Sequence, residues 1–576
     1  MVVKFFLALV LFFFPFFSWS EVTLEPIIVE KEVSFRDFFL KEENLREFPS
    51  TSSESILDYS SSLDLRERES FGIQTDLSIR GSIFEDNKVL IEGIEVNDPQ
   101  TGHFSLELPL PIEALQNIEI NPNSQEINFE IREPPDRFFN YISFLGRHSL
   151  IGNSLSIGFP WKKLRGAFYL EQAKSKGAQP DTDFNLYKVC LSSFYEDETQ
   201  KIDFLYAFLK KDFGADGFYA SPKYMQEEEH IAQSFSYLNY LAKTEKFDFK
   251  LTPYFRRHLD KFILDRHNPS FYTNYHTTYI YGVNSQLRPK DLGVSYNLGF
   301  RVEKINSTTL GNRQRKKVFF SLALLPQRIR RLLLKGGFSS VYYRPWGWLN
   351  IGDFSLSYLL GENFRVKLVF NRLYRAPSFT ELFYSSPANK GNPNLEVQNL
   401  RVWEISLNSQ RENYRFKIGL FLKDQRDSID WVRDEESEPW RAKNVGKIEV
   451  RGVDLNLNFF LEEGLLKELS LSYTYLHLNN KKSYSHSKYL FNYLKNKWVG
   501  SLKIGSERFF LRPVFLLEEP IWGRLRLIVN FKINYKVNKN LSFFWEVLNL
   551  FNEEYEEVEE VNSQARVWKW GIEWRF

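Results

Sequence analysis

The sequence predicts an all-β membrane barrel of about 22 antiparallel strands, with a small α+β domain at its N-terminal end. Three observations carry that prediction. The final segment RVWKWGIEWRF sets Trp568, Trp570, Ile572, Trp574 and Phe576 on one side and Lys569, Gly571, Glu573 and Arg575 on the other. A period of two is a strand with one apolar face. Aromatic residues make up 17% of the chain, with 54 Phe and 29 Tyr, far beyond what a soluble core needs. Alternating segments also recur along most of the 576 residues.

The elements follow in chain order. Residues 1–20 read as a secretory signal: Lys4 gives a positive start, Phe5 to Phe17 an apolar core, and Ser18-Trp19-Ser20 small residues for cleavage. The apolar run is shorter than the ~20 residues a spanning helix requires. Residues 31–136 differ from the rest. Thr51-Ser52-Ser53-Glu54 has capping-box spacing before Ile56, Leu57 and Leu63, which predicts a short helix ending near Asp64. DLSIRG and KVLIEGIEV predict two strands joined by the turn SIFEDN, and EINFEI a last strand before the barrel.

Residues 137–576 carry the barrel pattern. Phe247, Phe249, Leu251 and Phe255 alternate with Asp248, Lys250 and Thr252; Tyr414, Phe416, Ile418, Leu420 and Leu422 alternate with Arg415, Lys417 and Gly419. VDLNLNFF and RLRLIVNFKINY repeat the pattern. Runs of about 9–12 residues fit tilted membrane strands. In a soluble sandwich the polar face would meet water; behind an export signal, over this length, it predicts a wet lumen. Trp574 and Phe576 then form the insertion signal that barrel-assembly machinery seizes, and the outer membrane of a Gram-negative-type bacterium is the expected location.

Composition excludes other classes. Lys+Arg 75 against Asp+Glu 73 leaves a net charge of +2, which gives no electrostatic reason for nucleic acid. Cys190 is alone, so no internal disulfide or Cys-based zinc site can form. No serine nucleophile motif or Gly-rich phosphate loop is present, so no enzyme activity is expected and no organic cofactor is needed.

Residues 55–102 resemble the plug domain of TonB-dependent outer-membrane receptors, through Ile79-Arg80-Gly81, Val89 to Gly93 and Val96-Asn97-Asp98. YRAPSFTELF (Tyr374 to Phe383) with GNPNLEVQNLRVWE, RDSIDW with NVGKIEVRGVDL, and NLFNEEYEEV are similar to successive barrel signatures of that family. DFGADGFYASPKY and RRHLDKFILDRHNPSFYTNYH resemble its cobalamin-receptor-like branch. Within residues 21–30, Thr23, Leu24, Glu25, Pro26, Ile27, Ile28 and Val29 resemble a TonB box, a mobile segment that adds as a strand to TonB; an ordinary disordered tail is the alternative. Where the family has an Arg-Gly-Pro turn and a Gly-Gly pair, this chain has NPNSQEINFEIREPPDR, so a trimmed or rearranged plug is expected.

The resemblance implies an importer, a single barrel acting as a monomer in outer-membrane lipid and lipopolysaccharide, with TonB and the inner-membrane ExbB/ExbD complex supplying energy. It places a small-molecule ligand at the loops Phe71–Asp76 and Asn97–Phe104, with SIFEDN at the opposite end of the plug. Phe71, Gln74, Asn97, Asp98, Gln100, Thr101 and His103 are the candidate ligand contacts; Asn97-Asp98-Pro99 equally suits a plain turn. Asp181 and Asp183 offer a possible structural Ca²⁺ site, although two carboxylates fall short of six or more oxygens, and a solvated loop is the alternative. His258, His267 and His276 are expected at the surface or in the aromatic girdle. Uptake of a cobalamin-like corrinoid or metal chelate competes with two other readings: a passive pore or assembly/adhesion barrel with a degenerate plug, and a membrane-embedded hydrolase.

Overall fold

The computed structural model describes residues 38–41, 45–218, 226–480, 486–558, 561–562 and 565–576. The segment 23–29, expected to act as a TonB box, lies outside them. Among the described residues seven strands precede the barrel: β1 (Phe38–Lys41), β2 (Leu63–Glu69), β3 (Ile73–Ile79), β4 (Lys88–Ile91), β5 (Ile94–Glu95), β6 (Leu115–Asn121) and β7 (Glu126–Ile131). From β8 (Phe138–Gly146) onward, 22 strands close into one antiparallel barrel.

Closure is made by the strand read first in the sequence. Val567–Arg575 pairs with Leu541–Leu548 on one side and with β8 on the other, in a register that runs from Lys569↔Gly146 to Arg575↔Asn140. Phe139 and Phe576 exchange backbone N–H···O bonds of 2.8 and 3.0 Å, and their rings stack at 4.7 Å. The period-two reading holds side chain by side chain: Trp570 is 50% exposed on the outer face, whereas Lys569 is 8% exposed toward the lumen. Tight turns such as Lys162-Lys163 lie at the end where β8 begins, and long loops such as 427–447 lie at the other. Outer-membrane barrels keep short turns on the periplasmic side, which fixes the orientation.

The plug has a five-stranded sheet in the order β1-β6-β7-β4-β5, with a separate β2–β3 hairpin. EINFEI is β7, antiparallel to β6 and parallel to β4. The turn that precedes it places Gln125 in the left-handed region at φ 52°, a position where glycine would be strain-free. The helix expected over residues 51–64 does not form as such. Ser55–Tyr59 is one 3₁₀ turn, β2 already begins at Leu63, and no side-chain cap bond is made at Glu54. Ser52 and Ser55 instead bond to each other's backbone, since Ser hydroxyls compete readily for local N–H groups.

The hydrophobic core is shared between plug and wall. Ile56, Leu57, Val89, Ile91, Ile118, Ile127 and Phe129 pack in one cluster with the inward-facing Tyr169, Cys190, Leu205, Phe235 and Leu516 of the barrel. Polar anchors flank it. β3 stops at Ile79, and Arg80 and Gly81 turn away at φ 49° and 69°. This aims the buried Arg80 guanidinium at Glu404 (2.6 Å), Asp454 and Asn123 (2.9 Å), with its plane 3.9 Å over the Phe421 ring. Lys423 Nζ donates to the carbonyls of Ile79 and Arg80 at 3.3 and 3.2 Å.

Replacing Arg80 leaves two carboxylates buried beside one remaining cation, Lys417, and breaking such a buried pair costs about 3–5 kcal/mol. Arg80→Ala should therefore raise hydrogen exchange across β3 and the Arg80–Asn87 connection by at least a hundred-fold, while the barrel strands exchange as before. Unchanged protection of that segment would show that the guanidinium does not anchor the plug.

Candidate ligand-binding apex

Two plug segments, the link between β3 and β4 and the loop Asn97–Phe104, meet at the extracellular end. The link between β3 and β4 is folded on itself by Asn87, whose amide donates to the carbonyls of Leu77 (2.7 Å) and Ile83 (3.0 Å) and accepts from Ser82 Oγ (2.7 Å). The chain therefore climbs back after Arg80, and SIFEDN shares the apex with Asn97–Phe104 rather than lying opposite it. Phe84 stacks on His103 at 3.9 Å, and Thr101 Oγ1 donates to Glu85 Oε1 at 3.1 Å.

The candidate contacts fall into distinct settings. Asn97 is fully engaged in shaping its loop: its Oδ1 accepts from Val89 N (2.8 Å) and its Nδ2 donates to Asn87 O (2.7 Å) and Ser105 Oγ (2.9 Å). Asp98 is buried against the wall, where Arg256 (2.6 Å) and Thr278 (2.9 Å) donate to Oδ2 and Gln100 N to Oδ1 (2.8 Å). Burial alone would raise its carboxyl, but Arg256 and His258 outweigh that and hold it below the usual range. Gln100 Nε2 donates to Asp260 at 3.1 Å. His103 Nδ1 lies 2.6 Å from Asp76, and its ring is edge-on to Tyr489. Phe71 and Gln74 are buried at left-handed positions of φ 67° and 51°. Phe71 stacks on Phe144 (5.8 Å) and faces a cavity of about 500 Å³ between plug and wall, away from His103.

The wall facing the apex is written in the sequence at strand spacing. Arg256, His258 and Asp260 alternate on Phe247–Ile263 and all turn inward, which is why two of the three histidines differ from expectation. His258 is fully buried beneath Phe104 and beside Asp98 (3.4 Å), and His276 is buried on the next strand; only His267 is exposed. Asp181 and Asp183 share Arg266 Nη1, at 3.2 and 2.7 Å, so a guanidinium already occupies the position between the two carboxylates. Among the described residues no group of three or more His, Cys, Asp or Glu is arranged to hold a metal ion.

YRAPSFTELF is the socket for the apex. Ser378 and Glu381 form a reciprocal capping box at the short helix Phe379–Phe383. The helix's first N–H groups are thereby free to grip the plug: Phe379 N donates to Pro99 O (2.9 Å) and Thr380 N to Gln100 O (3.0 Å). Arg375 bridges Glu381 (2.7 Å) and Asp86 (2.9 Å), and Gln398 and Gln425 add bonds to Asp86 of 2.8 and 3.0 Å. Sequence reasoning missed Glu85 and Asp86 as apex residues; the Ser378-x-x-Glu381 spacing was a usable signal for the socket. Above it, strands 389–390, 429–433, 440–444 and 486–487 form a small sheet from three loops. Its core of Leu382, Leu395, Ile429, Trp431 and Ala442 reaches the plug through Tyr489, edge-on to Phe84 at 4.9 Å.

With this geometry in hand, residues 137–550 match the model of the "TonB dependent receptor-like, beta-barrel" family. The chain is 25% identical over 235 residues to the vitamin B12 transporter BtuB of Photobacterium profundum, a match that spans 38% of this chain and 37% of that protein. Its fold is similar to the siderophore receptors PirA of Pseudomonas aeruginosa (TM-score 0.73, 15% identity, 94% and 99% of the two chains) and of Acinetobacter baumannii (0.74, 12%, 94% and 98%). The FrpB iron transporter of Neisseria meningitidis superposes with a TM-score of 0.76 at 11% identity, over 93% and 98%. A family match across most of the chain, on a closed 22-stranded barrel filled by an N-terminal plug, places this outer-membrane protein among the TonB-dependent receptors.

Proposed function

We propose that the protein is an energised importer of a bulky, scarce solute, a cobalamin-like corrinoid or a metal chelate, captured at the extracellular loops and the plug apex. One observation carries this reading: the loop with the candidate contacts is hydrogen-bonded both to the wall, through Asp98 and Gln100, and to the loop helix 379–383. A ligand that competes for Gln100 disturbs a bond that seats the plug on the wall, and one that competes for Thr101 or His103 disturbs the bonds to Glu85 and Asp76 that hold the apex together. Binding outside is thereby felt at the plug, whose N-terminal extension, Thr23 to Val29, pairs with TonB as an added strand. Force from the inner-membrane complex then displaces the plug and admits the solute. The named relatives, a vitamin B12 transporter and siderophore receptors, fit both ligand classes and favour neither. No step calls for bond-making chemistry by this chain.

Deleting residues 23–29 should leave ligand binding to purified barrel intact and abolish accumulation in cells; uptake that persists without the segment or without TonB identifies a passive pore. Gln100→Ala with His103→Ala should weaken binding of cyanocobalamin or a ferric chelate roughly ten-fold, the effect of losing one or two net hydrogen bonds. Equal affinity for every probe in both forms would place the ligand elsewhere.

The apex also carries a pH dependence of known sign. Burial, with the Glu381 carboxylate beside it, pushes the Glu85 carboxyl from 4.5 up to about 8. The seated apex holds a proton that the released one gives up, so seating is strongest below pH 4.5 and weakens as pH rises toward 8. Exchange protection of residues 97–104, corrected for intrinsic rates, should fall between pH 5 and pH 8, and Glu85→Gln should retain more of it at pH 8. An identical pH profile in the variant contradicts the assignment.

A further inference from the structure

Six strand glycines in this barrel are covered by an aromatic neighbour. Gly152 lies under Phe144, Gly158 under Phe138, Gly166 under Phe159, Gly282 under Tyr254, Gly299 under Phe319 and Gly452 under Phe421. In every case the ring belongs to the residue directly opposite in the ladder. An aromatic ring that folds over a glycine restores the apolar contact that the missing side chain forfeits.

Gly500 is not covered in this way, and neither is Gly352, where only the Gly337 carbonyl oxygen lies within 4 Å, at 3.8 Å. Gly500 faces outward, between Leu471 on one neighbouring strand and Phe515 on the other. A Cβ added there would meet nothing within 4 Å, and its φ is not in the left-handed region. Among the described residues the other glycines with equally open space, Gly93, Gly217, Gly347, Gly361 and Gly464, are turn residues at positive φ. Phe515, although directly opposite, is 39% exposed and leaves the position open.

The result is a groove of about 270 Å³ on the membrane-facing surface, lined by hydrocarbon. Rows two residues apart are about 6.7 Å apart along a strand. One row above Gly500, Tyr473 and Trp498 stack at 4.0 Å and form a roof. One row below, Phe459, Leu469 and Leu502 form a lower lip. Above the roof the outer surface turns polar at once: Tyr473 Oη donates to Asn496 (2.7 Å), and Lys495 and Glu519 follow. The Tyr473–Trp498 pair therefore marks the extracellular interface, where amphipathic rings settle, and the groove opens just inside the hydrocarbon layer.

We infer that this groove seats one acyl chain of an outer-leaflet lipid, with Gly500 as its floor and Leu471 and Phe515 as its walls. The occupant follows from depth. At this level of the outer surface the barrel is surrounded by hydrocarbon, and a void lined by apolar atoms forfeits dispersion contacts unless a chain fills it. Gly500 then does for a lipid what the covered glycines do for a ring, by letting the partner approach the strand closely.

The test is native mass spectrometry of the full-length protein, purified from outer membranes in a mild detergent. The wild type should retain one lipid, identified by mass as lipopolysaccharide or phospholipid. Gly500→Leu should lower that occupancy at least five-fold, Gly500→Ala should lower it less, and Phe338→Ala, at an exposed outward position on another strand, should keep it. If Gly500→Leu yields no folded barrel, Leu471→Trp closes the same space from the neighbouring strand. Equal retention in wild type and filled variants, no retained lipid in the wild type, or a second copy of the chain in place of lipid would each overturn the assignment.

Discussion

A lumen lined with charge cannot be closed by an apolar stopper, and this constraint shapes the rest of the molecule. Alternation along the strands sends hydrocarbon outward and leaves Lys188, Lys211, Arg256, Lys423, Lys497 and Arg512 fully buried inside. Each finds an oxygen on the plug: Lys188 meets Glu54 (3.5 Å), Lys211 meets Glu107 (2.5 Å), Arg256 meets Asp98 (2.6 Å), Lys497 meets Asp58 (2.5 Å) and Arg512 meets Glu47 (2.9 Å). Lys423 is held by two plug carbonyls. Buried charges without partners are costly, so wall and plug stabilise each other only in this one fit. The plug is a counter-surface to the wall, distributed around its whole circumference.

That distribution bears on how the plug can move. Ser50 N donates to Glu546 (3.1 Å) and Ser50 O accepts from Lys569 (2.6 Å), so the strap Leu45–Ser52 is fixed to the closing strands near the N-terminal end of the plug. At the apex, the loop helix and the small sheet above it hold the other extreme. Spontaneous displacement would expose many charges in series, which is consistent with a transporter that needs an outside source of work.

What was legible in the sequence follows the strength of its period. The terminal strand, whose alternation runs unbroken from Trp568 to Phe576, closes the barrel as read. The segment expected to be rearranged still forms a strand, β7, after a left-handed turn that Gln125 takes without a glycine. Two readings depended on long-range contacts that local pattern does not contain. Thr51 to Glu54 has the letters of a capping box, yet Glu54 is drawn to Lys188 on the wall. SIFEDN reads as a far turn, yet the amide of Asn87 folds it back to the apex. Arg256, His258 and Asp260 sat in plain strand spacing; their role became readable only when Asp98 and Gln100 were seen opposite them.

The central claim is that the unpulled plug seals the lumen through its buried charge pairs, so that passage requires energy. The most direct measurement is the conductance of the purified, unmodified protein in a planar lipid bilayer, without TonB and without denaturant. The account predicts an electrically silent barrel. A steady ohmic conductance, like that of a water-filled porin, would contradict it.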